Sequence, residues 1–598
     1  MATAAVPKTR IAGGSFLIED RLPEEVFTPE DFTDEHRQIA QTTDEFAVQE
    51  IVPNIEKIEH KDFSVSRDLI KKASELGLTS VDIPEEYGGM EMDKVSSAII
   101  ADYIAKSGSF SVTWGAHVGI GTLPIVYFGT AEQKAKYLPK LASGEWVGAY
   151  ALSESSSGSD ALNCRTRAEL SPDGKHYVLN GEKMWITNAS FADLYVVFAK
   201  LGGEKFSAFI VERTFPGFSV GAEEKKLGIR GSSTCPLILN DCKVPMENLL
   251  GEIGKGHIIA FNILNIGRFK LGAGCVGGAR NSLQTAIAYA KQRKAFGKVL
   301  SDFGLIREKL AEIAIGIYVG ESLAYRTVGM IDAALRDIDK HSPDASTEIR
   351  KGIEEYAVEC SILKVWGSEM LDEVVDHVVQ IHGGYGFVEE YPAERAYRDS
   401  RVNRIFEGTN EINRMIITGW LMKRAMTGQL ALMPAIKKLM DEVLSGPSMS
   451  EETEGALSEE RALVASAKKS ALFVAGVASQ RYMTDLADQQ EVMAALADII
   501  IEVFAMDSAL LRTLKLIQAQ GESSSLLPIA MTKVYLSGAF AKLEVAARRV
   551  LAAAAEGDDL RIQTAILRRL VKHEPENVIG LRQQIATRVI EAGKYVIS

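Results

Sequence analysis

Residues 145–161 read EWVGAYALSESSSGSDA, and the chain changes texture inside them. Upstream, residues 34–145 carry apolar side chains at helical spacing, as in DEHRQIAQTTDEFAVQEIVPNIEKI (34–58) and SRDLIKKASELG (66–77). Downstream come short β-rich runs separated by Gly, Asp and Asn: HYVLNGEKMWITNA (176–189), ADLYVVFAKL (192–201), FSAFIVER (206–213) and CPLILNDCKVP (235–245). After GEIGKG (251–256) the spacing is helical again to about residue 430. The order helix, sheet, helix therefore turns on this one stretch.

Working outward, the domains expected are an N-terminal extension (1–33), a helical domain (34–145), a β middle domain (146–257) and a helical bundle (258–430). The polar, acidic run GPSMSEETEGALSEE (446–460) predicts a linker over 431–465, followed by a further helical region, 466–598. That region echoes the bundle. LAEIAIGIYVGESLAYRT (310–327) aligns without gaps to LADIIIEVFAMDSALLRT (496–513), and LKVWGS (363–368) to TKVYLS (532–537). The last region reads as a degenerate copy of the bundle; nothing in it resembles FEGTN or GGYGF.

A chain of 598 residues is too long for one core. A net charge of −13 argues against a nucleic-acid footprint. No apolar run of spanning length is predicted. The five cysteines form no CxxC pair and read as free thiols of a reducing compartment, either a bacterial-type cytoplasm or a mitochondrial matrix. The first 25 residues have no apolar core of the kind a secretory signal carries. Metal spacing is absent, GEIGKGH (251–257) puts His257 where a P-loop needs Ser or Thr, and no GxGxxG follows a strand.

Five stretches carry chemistry, each with a bland alternative. YALSESSSGSDA (150–161) is a hydroxyl-rich loop able to cradle a polar ligand, or simply a flexible loop. Trp185 in MWITNA (184–189) is either a core residue or a flat wall with Thr187 as donor. Arg293 in KQRKAFGKVL (291–300) suits a phosphate or a solvated face. Gly383 and Gly384 after QIH end a helix or admit a ligand. Glu407, between Phe406 and Gly408 in RIFEGTNEINR (404–414), is a surface acid or a base.

Taken together and in order, YALSESSSGSDA, MWITNA, LGIRGSSTC (227–235), NILNIGRFKLGAG (262–274), QRKAFG, QIHGGYGF and IFEGTNEI resemble the acyl-CoA dehydrogenase flavoenzyme family over about residues 34–430. The long tail most resembles the very-long-chain subgroup. The resemblance implies a mostly α fold: a helical domain, a β-barrel-like domain and a four-helix bundle, plus the extra helical region. It implies FAD as cofactor, bound by Tyr150, Leu152, Ser153, Gly158, Ser159, Trp185, Ile186, Thr187, Arg293, Phe296, Gln380, Gly383, Gly384, Thr409, Asn410 and Glu411. It implies substrate contacts from Ser159, Asn265, Arg268, Phe406 and Gly408, and Glu407 as catalytic base. Removing the weakly acidic α-proton of a thioester needs a carboxylate in a dry site, with its pKa raised by burial. A homodimer, an acyl-CoA substrate and an electron-transfer flavoprotein as partner are likewise implied. An oxidase using oxygen, or a scaffold protein on the same fold, are the alternatives. The sequence departs from the family at Ser153-Glu154-Ser155, where Thr-Glu-Pro is usual, and at Ala189. In long-tailed relatives the tail also carries a membrane-associating segment; acidic residues 446–460 do not favour one here.

Overall fold

The computed structural model describes residues 10–339, 342, 344–444 and 455–597. The first domain contains α1 (Asp34–Phe46), α2 (Phe63–Glu75), α3 (Lys94–Tyr103), α4 (Gly108–Gly115) and α5 (Ala131–Ala142). Their starts are written in the sequence. Thr33, Asp93, Ser107 and Thr130 each accept a backbone N–H from the first turn they cap.

The middle domain is an eight-stranded mixed sheet: β1 (Gly148–Ala151), β2 (Arg167–Leu170), β3 (His176–Thr187), β4 (Leu194–Leu201), β5 (Lys205–Glu212), β6 (Phe218–Val220), β7 (Thr234–Pro245) and β8 (Leu249–Leu250). The order is β6-β7-β3-β2-β4-β5-β8, with β1 parallel on β4. β4 and β5 are almost wholly buried, whereas β3 and β7 alternate between buried and exposed positions. The β3–β7 ladder breaks register between Lys183 and Ile186. That bulge re-aims Trp185.

The bundle is α6 (Gly256–Gln292), α7 (Gly304–Leu335), α8 (Ala357–His382) and α9 (Asn410–Met426). The tail is α10 (Leu432–Leu444), α11 (Ser458–Tyr482), α12 (Gln490–Gln520), α13 (Leu526–Ala554), α14 (Gly557–Leu570) and α15 (Val578–Ala592). Two expectations change here. The linker expected over 431–465 is helical at Leu432–Leu444 and again from Ser458, and its residues 445–454 lie outside those described. The polar run masked an amphipathic segment whose Leu432, Ile436 and Leu439 are buried. A helical stretch of spanning length and apolarity, not expected from the sequence, does exist at Ser458–Asp488. Some 61% of its apolar window is buried inside the fold, as a core helix requires.

The repeat has a counterpart in space. In the gapless match Glu321 aligns with Asp507, Tyr318 with Phe504 and Arg326 with Arg512. Arg326 pairs with Asp507 at 2.8 Å, and Arg512 pairs with Glu321 at 2.9 Å. The Arg326 guanidinium lies 4.6 Å over the Phe504 ring; that of Arg512 lies 4.5 Å over Tyr318. Trp366 and Tyr535, aligned in the second match, hydrogen-bond to each other at 2.9 Å. Such reciprocity is what an isologous two-fold contact produces. Residues 10–33, expected as an extension, lie between bundle and tail. Phe16 meets Phe504 at 4.7 Å, Glu30 pairs with Arg512, and Gly14 N–H donates to Glu359 on α8.

Candidate active site

α6 has 37 residues, about 55 Å of helix. Gly267, Leu271, Gly274, Gly278, Thr285 and Ala288 recur at helical spacing along one face and line a 720 Å³ cavity. Ala101, Ile104, Val112, Trp114, Gly115 and Gly119 form the opposing wall. A Cβ at Gly115 or Gly119 would meet nothing within 4 Å, so these positions leave the wall hollow. Phe406, Glu407 and Thr187 close one part of it.

Glu407 lies in the turn before α9, at φ 57°, followed by Gly408 at φ 81°. A non-glycine residue there costs roughly 1–2 kcal/mol, so its surroundings must hold it. They do so through backbone carbonyls. Asn413 Nδ2 donates to Gly408 O and Thr409 O, Arg268 Nε to Glu407 O, and Lys364 Nζ to Gly408 O. The turn throws the carboxylate against α6. A Cβ at Gly267 would stand 2.5 Å from Glu407 Oε2, which only glycine permits. That oxygen is enclosed and has no hydrogen-bond partner among the described residues. Burial pushes the Glu407 carboxyl up to about 7, with Arg268 and Lys364 pulling it back. The result is a carboxylate poised near neutrality in an apolar cavity, able to take a proton from a bound molecule.

Trp185 sits at φ 59° and is 57% exposed. The core reading of this tryptophan is therefore wrong: the bulge turns its indole outward as a flat wall, while Ile186 is buried behind it. The Tyr150 hydroxyl is also enclosed without a partner among the described residues. Leu152 and Ser153 hold the next loop to β3: Leu152 O accepts from Lys183 Nζ and Ser153 O from Met184 N. Gly158 and Ser159 are exposed on that loop, outside the cavity lining. Thr409 caps α9 by accepting from Ile412 N, and Glu411 is exposed in its first turn.

Several residues stand differently from the sequence-based expectation. Arg268 and Asn265 do not line the cavity. Arg268 Nη1 donates to Asn265 Oδ1 at 2.8 Å, and Nε holds the Glu407 carbonyl, so the guanidinium supports the turn from behind. The Asn410 side chain, assigned to the cofactor, faces inward. It accepts from Lys364 and donates to Ser368 and Glu369. Arg293, Phe296, Gln380, Gly383 and Gly384 gather elsewhere, at the C-terminal ends of α6 and α8. Arg293 lies 5.5 Å over the Tyr385 ring, and Phe296 is 95% exposed. Arg293 is 25 residues along from Arg268, about 37 Å of chain at helical rise. Sequence reasoning missed Gly267, Lys364, Asn413 and the buried Glu154–Lys183 pair at 2.7 Å. Only the small-residue spacing in NILNIGRFKLGAG hinted at the first.

Family models described as the N-terminal, middle and C-terminal domains of acyl-CoA dehydrogenase match residues 33–145, 149–242 and 254–422, and a further C-terminal-domain model matches 466–569. A probable acyl-CoA dehydrogenase of Bacillus subtilis (strain 168) is 51% identical over 586 residues, 98% of each chain. The chain belongs to the acyl-CoA dehydrogenase family. The crystal structure of an acyl-CoA dehydrogenase complexed with FAD from Bacillus anthracis superposes with a TM-score of 0.96 at 50% identity, covering 98% of this chain and all of that one. The human mitochondrial very long-chain specific enzyme is 42% identical over 353 residues, 57% of this chain and 51% of that one.

This acyl-CoA dehydrogenase is accordingly an FAD enzyme, and its residues fit the cofactor. The outward indole of Trp185 offers a ring-sized wall, Thr187 a hydroxyl beside it, and the orphaned Tyr150 hydroxyl a donor.

Proposed function

We propose that this acyl-CoA dehydrogenase desaturates long-chain acyl-CoA to the trans-2-enoyl product, with Glu407 as the base. The observation that carries this reading is the unpartnered Glu407 Oε2, enclosed against Gly267 in the wall of an apolar cavity. The carboxylate takes the α-proton, and Phe406 keeps water from it. When bound, FAD supplies the acceptor for the hydride leaving Cβ. Trp185, Thr187 and Tyr150 orient that group, with Leu152, Ser153, Gly158, Ser159 and Ile186 shaping the loop and strand around it. Thr409 and Glu411 stand at its polar side.

The size of the cavity supports the long-chain reading. Its 720 Å³ lies high in the usual range for a ligand pocket, about 300–1,000 Å³. The lining runs along α6 from Gly267 to Ala288, about 30 Å at helical rise. The distant patch of Arg293, Phe296, Gln380, Gly383 and Gly384 fits a homodimer in which each chain completes its partner's FAD site. Electrons leave to an electron-transfer flavoprotein.

Glu407→Gln tests the core of this: the variant should keep FAD and lose flavin bleaching by acyl-CoA. Bleaching at the native rate would place the base elsewhere. A panel from C4 to C20 acyl-CoA should give its highest kcat/KM among long chains. Rapid peroxide formation in air would count against a flavoprotein acceptor.

A further inference from the structure

Lys364, on α8, is fully enclosed. Its Nζ donates to Gly408 O at 2.7 Å and to Asn410 Oδ1 at 2.6 Å. Both partners are neutral oxygens, an expensive setting for a buried ammonium. Burial drives the lysine down to about 8, against the pull of Cys275 and Glu407. A methionine would pack the same space without that cost, so the charge needs a reason.

The tail supplies an internal control. Lys533 stands where Lys364 stands in the LKVWGS–TKVYLS match, 169 positions downstream, and Glu576 stands 169 positions after Glu407. Glu576 also directly precedes the last helix of its unit, capped by Asn577. There the lysine closes on the carboxylate itself: Lys533 Nζ lies 2.9 Å from Glu576 Oε2. In the bundle, the left-handed pair Glu407–Gly408 presents a carbonyl to the lysine and swings the carboxylate away to Gly267.

We propose that Lys364 is a positioning residue for Glu407: it grips the Gly408 carbonyl to hold the turn that aims the carboxylate into the cavity, and lends a positive charge without capturing the carboxylate. This rests on the reading of Glu407 as base. The charged and titratable groups facing Glu407 are Arg268 from α6, Lys364 from α8 and Tyr150 from β1. Those facing Lys364 are Cys275 and Arg268 from α6, Glu369 from α8, and Glu407. Removing the lysine's charge leaves the carboxylate less stabilised, so Glu407 then titrates at higher pH.

The test uses the FAD-loaded enzyme with Lys364→Met, Lys364→Gln and Lys364→Arg. Flavin bleaching by a long-chain acyl-CoA is followed against pH, and the Glu407 carboxyl is titrated by infrared difference with Glu407→Gln as blank. The Met and Gln variants should keep FAD and move the acid limb and the carboxyl band up by about one pH unit. They should lose roughly 10- to 100-fold in rate at saturating substrate, with KM little changed. Lys364→Arg should restore the limb. An unmoved limb and band, or a native rate in the Met variant, would overturn the proposal. Loss of FAD from both neutral variants would assign the lysine to folding and overturn it too. Failure of the base reading is separate: it shows as bleaching in Glu407→Gln.

Discussion

The bundle and the tail put the same residue types in related places and do different things with them. In the tail, Lys533 closes on Glu576 and also on Glu460, so charge is quenched by direct contact. In the bundle, Lys364 takes a carbonyl and Glu407 Oε2 is left alone. The difference lies in the backbone. Glycine at 408 and a positive φ at 407 separate acid from cation. An unpaired buried carboxylate is a stability cost, and the tail carries none at this place. The comparison teaches that the candidate base is marked less by its residue type than by the partner it lacks.

The sharpest way to break the comparison is to remove both acids. Glu407→Gln should lower flavin bleaching by about 10³-fold or more, the scale of losing a general base, while Glu576→Gln should leave the rate unchanged. The reaction needs Glu407 ionised, so the native rate should rise with pH through about 7, where its carboxyl titrates. Stopped-flow bleaching across pH 5.5–9 checks both.

Next in size is the seam between bundle and tail. Arg512 is fully buried between Glu321 and Glu30. Arg512→Met leaves Glu30 without its cation, while Glu321 keeps Arg280 at 2.8 Å, and should cost about 3–5 kcal/mol. Arg326→Met should cost less, because Asp507 keeps Lys468 at 3.1 Å. Calorimetric melting of the two variants reads the asymmetry. Equal losses would mean that the seam responds to the arginines alone and not to what each leaves behind.

Gly267→Ala should follow. The added methyl meets Glu407 Oε2 at 2.5 Å and must displace it. A misplaced base should lose roughly 10- to 100-fold in bleaching rate while FAD is retained. Gly476→Ala, in the tail, meets only an Ile436 methyl at 2.7 Å, so its effect should be confined to stability.

Much of this was legible in the sequence. Helical spacing, N-caps and β alternation set the order of layers, because each is a local pattern. Glu407, Trp185 and Thr187 stood out through their motifs, and Glu407 and Thr187 line the cavity. What escaped was set by tertiary aim. Arg268 and Asn410 are polar residues in ligand-like motifs, yet both turn inward to hold carbonyls and side chains. Trp185 faces outward only because the Lys183–Ile186 register break rotates it. The helix Leu432–Leu444 hid beside a Pro- and Ser-bearing run that drew the boundary early. No spacing rule reports which way a polar side chain points once three helices converge.

The smallest test concerns Trp366 and Tyr535, where bundle and tail meet. Trp366 Nε1 donates to the Tyr535 hydroxyl, which in turn donates to Glu502 Oε2 at 2.7 Å. Trp366→Phe removes one donor and leaves Tyr535 bound to Glu502, at a cost of about 1 kcal/mol. Tyr535→Phe strands Trp366 Nε1, leaves Glu502 only Lys542 at 3.9 Å, and should cost up to about 3 kcal/mol. Burial already raises the Glu502 carboxyl, and the Tyr535 hydrogen bond lowers it. A folded-state pKa above the unfolded value favours the fold fully below the unfolded pKa, and that advantage is lost as pH rises through the folded one. Tyr535→Phe raises Glu502 further, so its penalty should be small near pH 4 and grow toward neutrality. Melting curves over pH 4–8 check this, and a penalty independent of pH would show that Glu502 does not feel the hydroxyl.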